Sequence, residues 1–341
     1  MIKVVQFGVG PLGRQIVRYI AEREGLDLVG VVDVDADLHG RPVGEICDTG
    51  CCVPVSRSLD EALAKAEADP QVAVIATVSS IDKLVPQVEE AAKAGLDIVS
   101  TCEELSFPWK QSPASAQAID QVCKSHGVTC VGTGVNPGYL MDYLPSVVTS
   151  IMQRVDSIEV ERVQDASKRR IPFQQKIGAG LTHEEFAQNK QKGTLRHVGL
   201  PESVDMIAHA LGWELDRAEE TLEPVLAEEL LTVGYKPIEK GQPAGVQQIA
   251  TGYVGGREVL KLTFRAAVGE GKSYDRIRAR GLPDIETIID GGVNGDVATC
   301  AITVNVIRSA VRAGPGLKTM LDIPAPAWFD KLRQPVSPDC S

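Results

Sequence analysis

Over the first 140 residues, short apolar runs alternate with stretches whose apolar positions recur every three or four residues. Residues 2–7 predict a buried strand, 12–24 a helix, and 28–32 a second strand. The same reading gives strands at 72–77, 97–101 and 128–132, and helices at 59–67, 82–94 and 115–126. Ser58 stands where a helix N-cap belongs, and Gly95 and Gly127 stand where helices stop. Strands separated by helical crossovers imply a parallel sheet covered on both faces.

After about Asn136 the rhythm changes. A strand is expected at 157–163, and helices at 182–190, 201–211 and 215–221. Strands at 247–253 and 258–268 flank the turn Gly255-Gly256. Strands clustered in this way favour an antiparallel sheet in an α+β unit. The loop Asp290-Gly291-Gly292-Val293-Asn294-Gly295-Asp296 precedes a helix over 297–313, and a proline-rich tail is expected to wrap back over the body. The expected domains are 1–140, 141–300, and a C-terminal helix and tail over 301–341.

Bulk composition narrows the function classes. The chain has 341 residues, 43% of them hydrophobic, and a formal net charge of -11. That charge argues against nucleic acid or an anionic membrane as partner. No apolar stretch is long enough to span a bilayer. Met1 leads straight into the first strand, and the 8 cysteines lack disulfide-like regularity, so reduced thiols and a cytoplasmic location are expected. Cys47, Cys51 and Cys52 have no matching pair at zinc spacing, so no metal is expected. His183-Glu184-Glu185 has no second histidine four positions on and reads as a helix start capped by Thr182.

The turn Gly8-Val9-Gly10-Pro11-Leu12-Gly13 joins the first strand to the first helix. Gly8 suits a tight turn, Gly10 a close approach of backbone to phosphate, and Gly13 close packing of helix on strand. Asp33 ends the second strand, twenty positions beyond Gly13, where an acid can hold ribose hydroxyls. Together they form the fingerprint of a Rossmann dinucleotide-binding domain. Asp33 repels a 2′-phosphate, so NAD is the first choice, while Arg41 leaves NADP open.

Ligands of an open parallel sheet bind beyond the carboxyl ends of its strands. Three further peptides lie there: Thr77-Val78-Ser79-Ser80, Ser100-Thr101-Cys102-Glu103-Glu104, and Gly132-Thr133-Gly134-Val135-Asn136-Pro137-Gly138. The second carries acids where the nicotinamide should lie. Reducing a ketone builds negative charge on oxygen and calls for a Lys or His donor. Reducing an iminium starts from a cation, which a carboxylate stabilises while also shuttling protons. The acids therefore favour C=N over C=O chemistry. In an extended segment only one of Glu103 and Glu104 faces the ring; the bland alternative is a pair of loop glutamates. Lys168-Arg169-Arg170 reads as a solvated strand end, with contact to a substrate carboxylate or cofactor phosphate as the alternative, and His197 as structural.

The segments 100–106, 132–139, 141–142, 162–166 and 292–299 together resemble the 2,4-diaminopentanoate dehydrogenases and native amine dehydrogenases, with dihydrodipicolinate reductases as wider relatives. The likeness runs from the first strand to Pro315-Gly316-Leu317. It implies NAD(P)-dependent oxidative deamination of 2,4-diaminopentanoate or a similar short amine to a ketone and ammonia, a second α+β domain for substrate and dimerisation, and a homodimer. It further implies a catalytic glutamate within Thr101–Leu105, with Glu104 favoured over Glu103. Cofactor contacts are expected at Gly8, Gly10, Pro11, Leu12, Gly13, Asp33, Thr77, Val78, Ser79, Thr101, Cys102 and Asn294. Substrate contacts are expected at Asn136, Pro137, Gly138 and Tyr139. The His-His pair and following Lys of the dihydrodipicolinate reductases have no match in residues 161–170. The rival readings are a reductase of an imine or semialdehyde, of dihydrodipicolinate-reductase or homoserine-dehydrogenase type, and a non-catalytic NAD sensor.

Overall fold

The computed structural model describes residues 1–331. They divide into two units, each taken by itself: residues 1–105, 114–133 and 299 onward, and residues 106–113 with 134–298. The division by contacts falls at 133/134, and residues 299–331 group with the first unit. Of the tail expected over 301–341, residues 332–341 lie outside the described residues.

In the first unit, strands β1 (Ile2–Phe7), β2 (Leu26–Val32), β3 (Val55–Ser56), β4 (Val72–Ile75), β5 (Asp97–Ser100) and β6 (Thr129–Gly132) alternate with helices. The helices are α1 (Pro11–Glu22), α2 (Val43–Cys47), α3 (Leu59–Lys65), α4 (Ile81–Lys93) and α6 (Pro113–His126), with the short α5 (Pro108–Gln111) belonging to the second unit. The second unit holds α7 (Tyr143–Val148), α8 (Ile171–Lys176), α9 (His183–Gln191) and α10 (Leu200–Leu211). Its strands are β7 (Arg154–Asp165), β8 (Arg217–Leu226), β9 (Pro243–Val254), β10 (Arg257–Ala267), β11 (Tyr274–Leu282) and β12 (Ile285–Asp290). Helix α11 (Gly295–Ala310) leads back to the first unit, where β13 (Gly316–Lys318) follows.

The first sheet is parallel throughout, in the order β13-β6-β5-β4-β1-β2-β3. Its order reverses between β1 and β4, so the crevice that receives ligands opens beside the end of β1. Val4, Val5, Val72–Ile75, Ile98 and Val99 are buried, as strands covered on both faces must be. Helices α1 and α4 bury Ile16, Val17 and Ile20, and Leu84, Val88 and Ala91, at helical spacing. The caps form as expected: Ser58 accepts the Glu61 N–H at 3.2 Å, and Gly95 and Gly127 take φ of 74° and 71°.

The second sheet runs β12-β11-β7-β10-β9-β8. It is mixed rather than antiparallel, because β7 and β10 pair parallel over Ile158–Asp165 and Leu260–Ala267. A long excursion between those strands makes a parallel pairing possible, which local pattern cannot foretell. Residues 215–221, expected as a helix, supply the start of edge strand β8. Arg217, Ala218, Glu219 and Glu220 favour a helix by propensity, but pairing from Arg217↔Tyr253 to Leu226↔Pro243 overrides it. Gly255 and Gly256, both at positive φ, make the β9–β10 turn. Among the described residues no helix is long and apolar enough to cross a membrane.

Candidate active site

The fingerprint turn divides its labour among three glycines. Gly8 sits at φ 87°, and a Cβ there would lie 2.7 Å from the Ala76 carbonyl oxygen. A Cβ on Gly13 would overlap the carbonyl oxygen of Gly8. Gly10 differs: its φ is -67° and a Cβ would meet no protein atom within 4 Å. Neither backbone conformation nor protein packing demands glycine at this position. The open space above it leaves room for a pyrophosphate to lie on the turn. Pro11 opens α1, whose first turn carries no acidic side chain, so its positive end is available to phosphate.

Asp33 is bound into this turn. Its Oδ2 accepts the Val9 N–H at 2.6 Å and its Oδ1 accepts the Asp35 N–H at 2.9 Å. A carboxylate has about four acceptor sites, so two remain for ribose hydroxyls. The residues therefore fit a nicotinamide dinucleotide, with Gly8, Gly10, Pro11, Leu12 and Gly13 under the pyrophosphate and Asp33 at the ribose.

The next peptides sit beyond β4 and β5. The Thr77 hydroxyl donates to Gln87 Oε1 at 2.7 Å, and its Cγ2 closes on the position of Gly8. Val78 is half-buried and Ser79 exposed. Thr101 is half-buried, whereas Cys102 is buried with its thiol donating to the Ser79 carbonyl at 3.1 Å. Burial pushes the Cys102 thiol up to about 12, so it stays protonated.

Glu103 and Glu104 do not lie in an extended segment. Residues Glu103–Leu105 form one 3-10 turn, so the face-alternation argument does not apply. The buried Leu105 drives this turn, lying so close to Gly132 that a Cβ there would sit 2.7 Å from the Leu105 carbonyl. Glu104 Oε2 accepts the Ile81 N–H at 2.9 Å, and Glu104 N–H reaches the Ser79 carbonyl at 3.4 Å. Ile81 is the first residue of α4, and its cap residue Ser80 makes no side-chain cap bond. Glu104 thus satisfies a free helix N–H, holding a carboxylate at the carboxyl end of the sheet. The Oε1 atom is not engaged in that bond.

In the second unit, the loop Asn136-Pro137-Gly138 has a cis peptide before Pro137, and Gly138 at φ 118°. Both polar atoms of the Asn136 side chain are buried and lack hydrogen-bond partners. An orphaned amide is expensive, and a bound ligand or water supplies the missing partners. Tyr139 is half-buried and packs on Tyr143 with ring centroids 5.8 Å apart.

The Asn294 loop is gripped from below. The buried Arg162 pairs with Asp275 at 2.6 Å and donates to the Val293 carbonyl at 2.9 Å, while Asp275 accepts the Val293 N–H at 2.7 Å. Asn294 Oδ1 caps α11 through the N–H groups of Asp296 and Val297, at 3.0 and 3.2 Å. A Cβ on Gly295 would lie 3.7 Å from Arg162 Nη2, 3.9 Å from Arg169 Nη2 and 3.9 Å from Val135 Cγ1. The structure therefore brings this loop beside the peptide that precedes Asn136.

Four further side chains bear on the sequence reading. Arg169 is drawn in rather than solvated: it is 13% exposed, pairs with Asp296 at 3.2 Å and stacks over Phe173 at 4.2 Å. Arg170 also reaches Asp296 but stays half exposed. His197 packs on Phe264, ring centroids 4.4 Å apart, with its Nε2 buried and unpartnered. Burial, reinforced by Lys176 and Arg162, pulls its pKa down to about 3 and keeps the ring neutral. Thr133, at the end of β6, has a buried hydroxyl without a partner. A polar residue in an apolar run was the only sequence signal for it. Among the described residues no cluster of His, Cys, Asp or Glu is arranged to hold a metal ion.

Residues 139–337 match the model of the 2,4-diaminopentanoate dehydrogenase C-terminal domain. The chain belongs to this family. Residues 36–131 match a Rossmann-like domain of unknown function. A 2,4-diaminopentanoate dehydrogenase of Acetoanaerobium sticklandii is 29% identical over 338 residues, covering 95% of this chain and 94% of the relative. An amine dehydrogenase of Streptomyces virginiae is 24% identical, covering 95% and 96%. The solved amine dehydrogenase of Mycobacterium smegmatis superposes with a TM-score of 0.82 at 22% identity, covering 96% of this chain and 97% of that one, so the two share a fold.

Proposed function

We propose that this family member is an NAD(P)-dependent amine dehydrogenase. It oxidises the CH–NH2 group of 2,4-diaminopentanoate, or of a similar short amine, to a ketone and ammonia, and the reaction is reversible. The carrying observation is a carboxylate, rather than Lys or His, fixed by the Ile81 N–H just beyond β5. The relatives named as amine and 2,4-diaminopentanoate dehydrogenases support the same chemistry.

The bound dinucleotide supplies a hydride acceptor. The residues of the chain handle charge and protons. Glu104, with Glu103 beside it, takes a proton from the substrate ammonium and passes it to solvent; the recharged carboxylate then faces a carbon–nitrogen cation, which its charge stabilises. Water adding to that cation gives its proton to the same carboxylate, which hands it to the amine nitrogen, and ammonia departs. The balance is one ammonium, one oxidised cofactor and one water consumed, for one ketone, one ammonium ion, one reduced cofactor and one proton. Asn136 offers the substrate an acceptor and two donors, with Pro137, Gly138 and Tyr139 as the wall. Thr77, Val78, Ser79, Thr101, the Cys102 backbone and Asn294 complete the cofactor's surroundings, and Asp33 favours NAD over NADP.

Arg162 and Arg169 beside Gly295 support an amine that also carries a carboxylate. The second unit, on this reading, holds the substrate and forms a homodimer. The working compartment would be the cytoplasm, where the seven unbridged thiols of the described residues stay reduced.

Ammonia decides between this reading and its rivals. NADH oxidation in the presence of a short oxo-acid such as 4-oxopentanoate should require ammonium and yield the amine. Oxidation without ammonium would make the protein a ketone or semialdehyde reductase; cofactor binding with no turnover on any amine would make it a sensor.

A further inference from the structure

We infer that Asp142 is a positioning residue that sets the Asn136 amide by gripping Gly138; this rests on the reading of 136–138 as the substrate loop. Asp142 is 0% exposed and, among the described residues, forms no ion pair. Burying a carboxylate without a counter-ion is costly unless donors converge on it. Three do. Oδ2 accepts the Gly138 N–H at 2.7 Å and the Ser203 hydroxyl at 2.8 Å, and Oδ1 accepts the Tyr143 N–H at 2.7 Å.

Gly138 takes φ 118°, a conformation that only glycine adopts readily, and its N–H is the first one after Asn136, because proline has none. The bond to Asp142 is therefore the nearest main-chain handle on the loop. The opposite side is held by shape. Gly199, at φ 98°, lies so close to Pro137 that a Cβ on it would overlap the proline ring. Ser203 stands one turn further along α10, so the same helix supplies a floor for Pro137 and a hydroxyl for Asp142.

The clamp fixes Asn136 while leaving its side chain to face a ligand, both polar atoms being buried and unpartnered. Asp142 does not reach the substrate itself, since both of its oxygens are taken by the loop, α7 and α10. It acts by pre-organisation: an amide held in one geometry loses less entropy on binding than one on a mobile loop.

The test is a double-mutant cycle on the full chain. Asp142→Asn preserves volume but turns one N–H acceptor into an N–H donor, so one of the three bonds is lost. We expect kcat/KM for the amine to fall about ten- to a hundredfold, chiefly through KM, with the Kd for NAD unchanged. Asn136→Ala should cost as much or more, and the double variant no more than Asn136→Ala alone. Hydrogen exchange of the Gly138 amide should quicken in Asp142→Asn and stay slow in Asn136→Ala. Ser203→Ala, which removes one donor only, should shift KM the same way by a smaller factor, and stands in if Asp142→Asn fails to fold. Additive losses, or slow exchange with unchanged KM in Asp142→Asn or Ser203→Ala, would overturn the inference. A wild-type chain that turns over no amine would sink the functional reading instead, and the exchange measurement would still decide the clamp.

Discussion

Replacing Gly10 and Gly13 by alanine separates cofactor recognition from folding, because the two methyl groups land in different places. At Gly10 the methyl meets no protein atom within 4 Å, and φ -67° suits alanine. The apo protein should keep its stability within about 1 kcal/mol, since the entropy that alanine removes from the unfolded chain offsets its weaker fit at the N-cap of α1. The same methyl occupies the space into which a pyrophosphate must come. Pushing the phosphate away from one backbone N–H forfeits a hydrogen bond to a charged group, about 1.5–3 kcal/mol, or roughly ten- to a hundred-and-fifty-fold in Kd. At Gly13 the methyl overlaps the Gly8 carbonyl oxygen, so turn and helix must part. Overpacking of this kind costs about 1–3 kcal/mol before any ligand is added. Calorimetric titration with NAD, alongside urea unfolding of the apo forms, reads both quantities. Gly10→Ala should weaken NAD with the unfolding midpoint little moved, and Gly13→Ala should lower both. NAD binding of wild-type strength by Gly10→Ala would mean that no phosphate approaches this turn.

The other expectations concern charge. Glu104→Gln retains an acceptor for the Ile81 N–H but loses the negative charge, so turnover should drop by about a hundredfold or more with the NAD Kd retained; unchanged steady-state rates would remove Glu104 from the chemistry. Asp33→Ser should weaken NAD more than NADP in paired titrations, and equal losses would end its ribose role. His197 has its pKa lowered from 6.5 to about 3, so the unfolded chain binds the extra proton between those values. Its stabilisation is complete above about pH 6.5 and is lost on acidification, at up to about 1.4 kcal/mol per pH unit. His197→Phe should flatten the pH dependence of urea stability between pH 4 and 6, and an unaltered slope would place the titration elsewhere.

What the sequence could announce depended on how local the cause was. The turn at Gly8, the caps at Ser58 and Thr182 and strands β1, β2, β4, β5 and β6 of the first sheet are set by neighbours a few residues away, and these were legible. Strand β13 has three residues and exists because Val128 and β6 offer an open edge some 185 residues earlier, so no window of sequence contains its cause. Strand β8 was obscured by the helical propensity of its charged start, which ten-residue pairing with β9 outweighs. The site divides in the same way. Glu103 and Glu104 stand out by their position after a strand, and the resemblance favours Glu104, but its partner Ile81 is not legible, because a side chain twenty-three positions away fills a cap that Ser80 leaves open. The charged run at 168–170 looked solvated because its counter-charge, Asp296, is more than 120 residues distant. In each case the missed feature is a polar group answering a need created elsewhere in the chain: an unfilled helix end, an unpaired strand edge or an unbalanced charge. Such needs are where a sequence alone is silent, and one of them, the open N–H of Ile81, is met by the carboxylate proposed here for the chemistry.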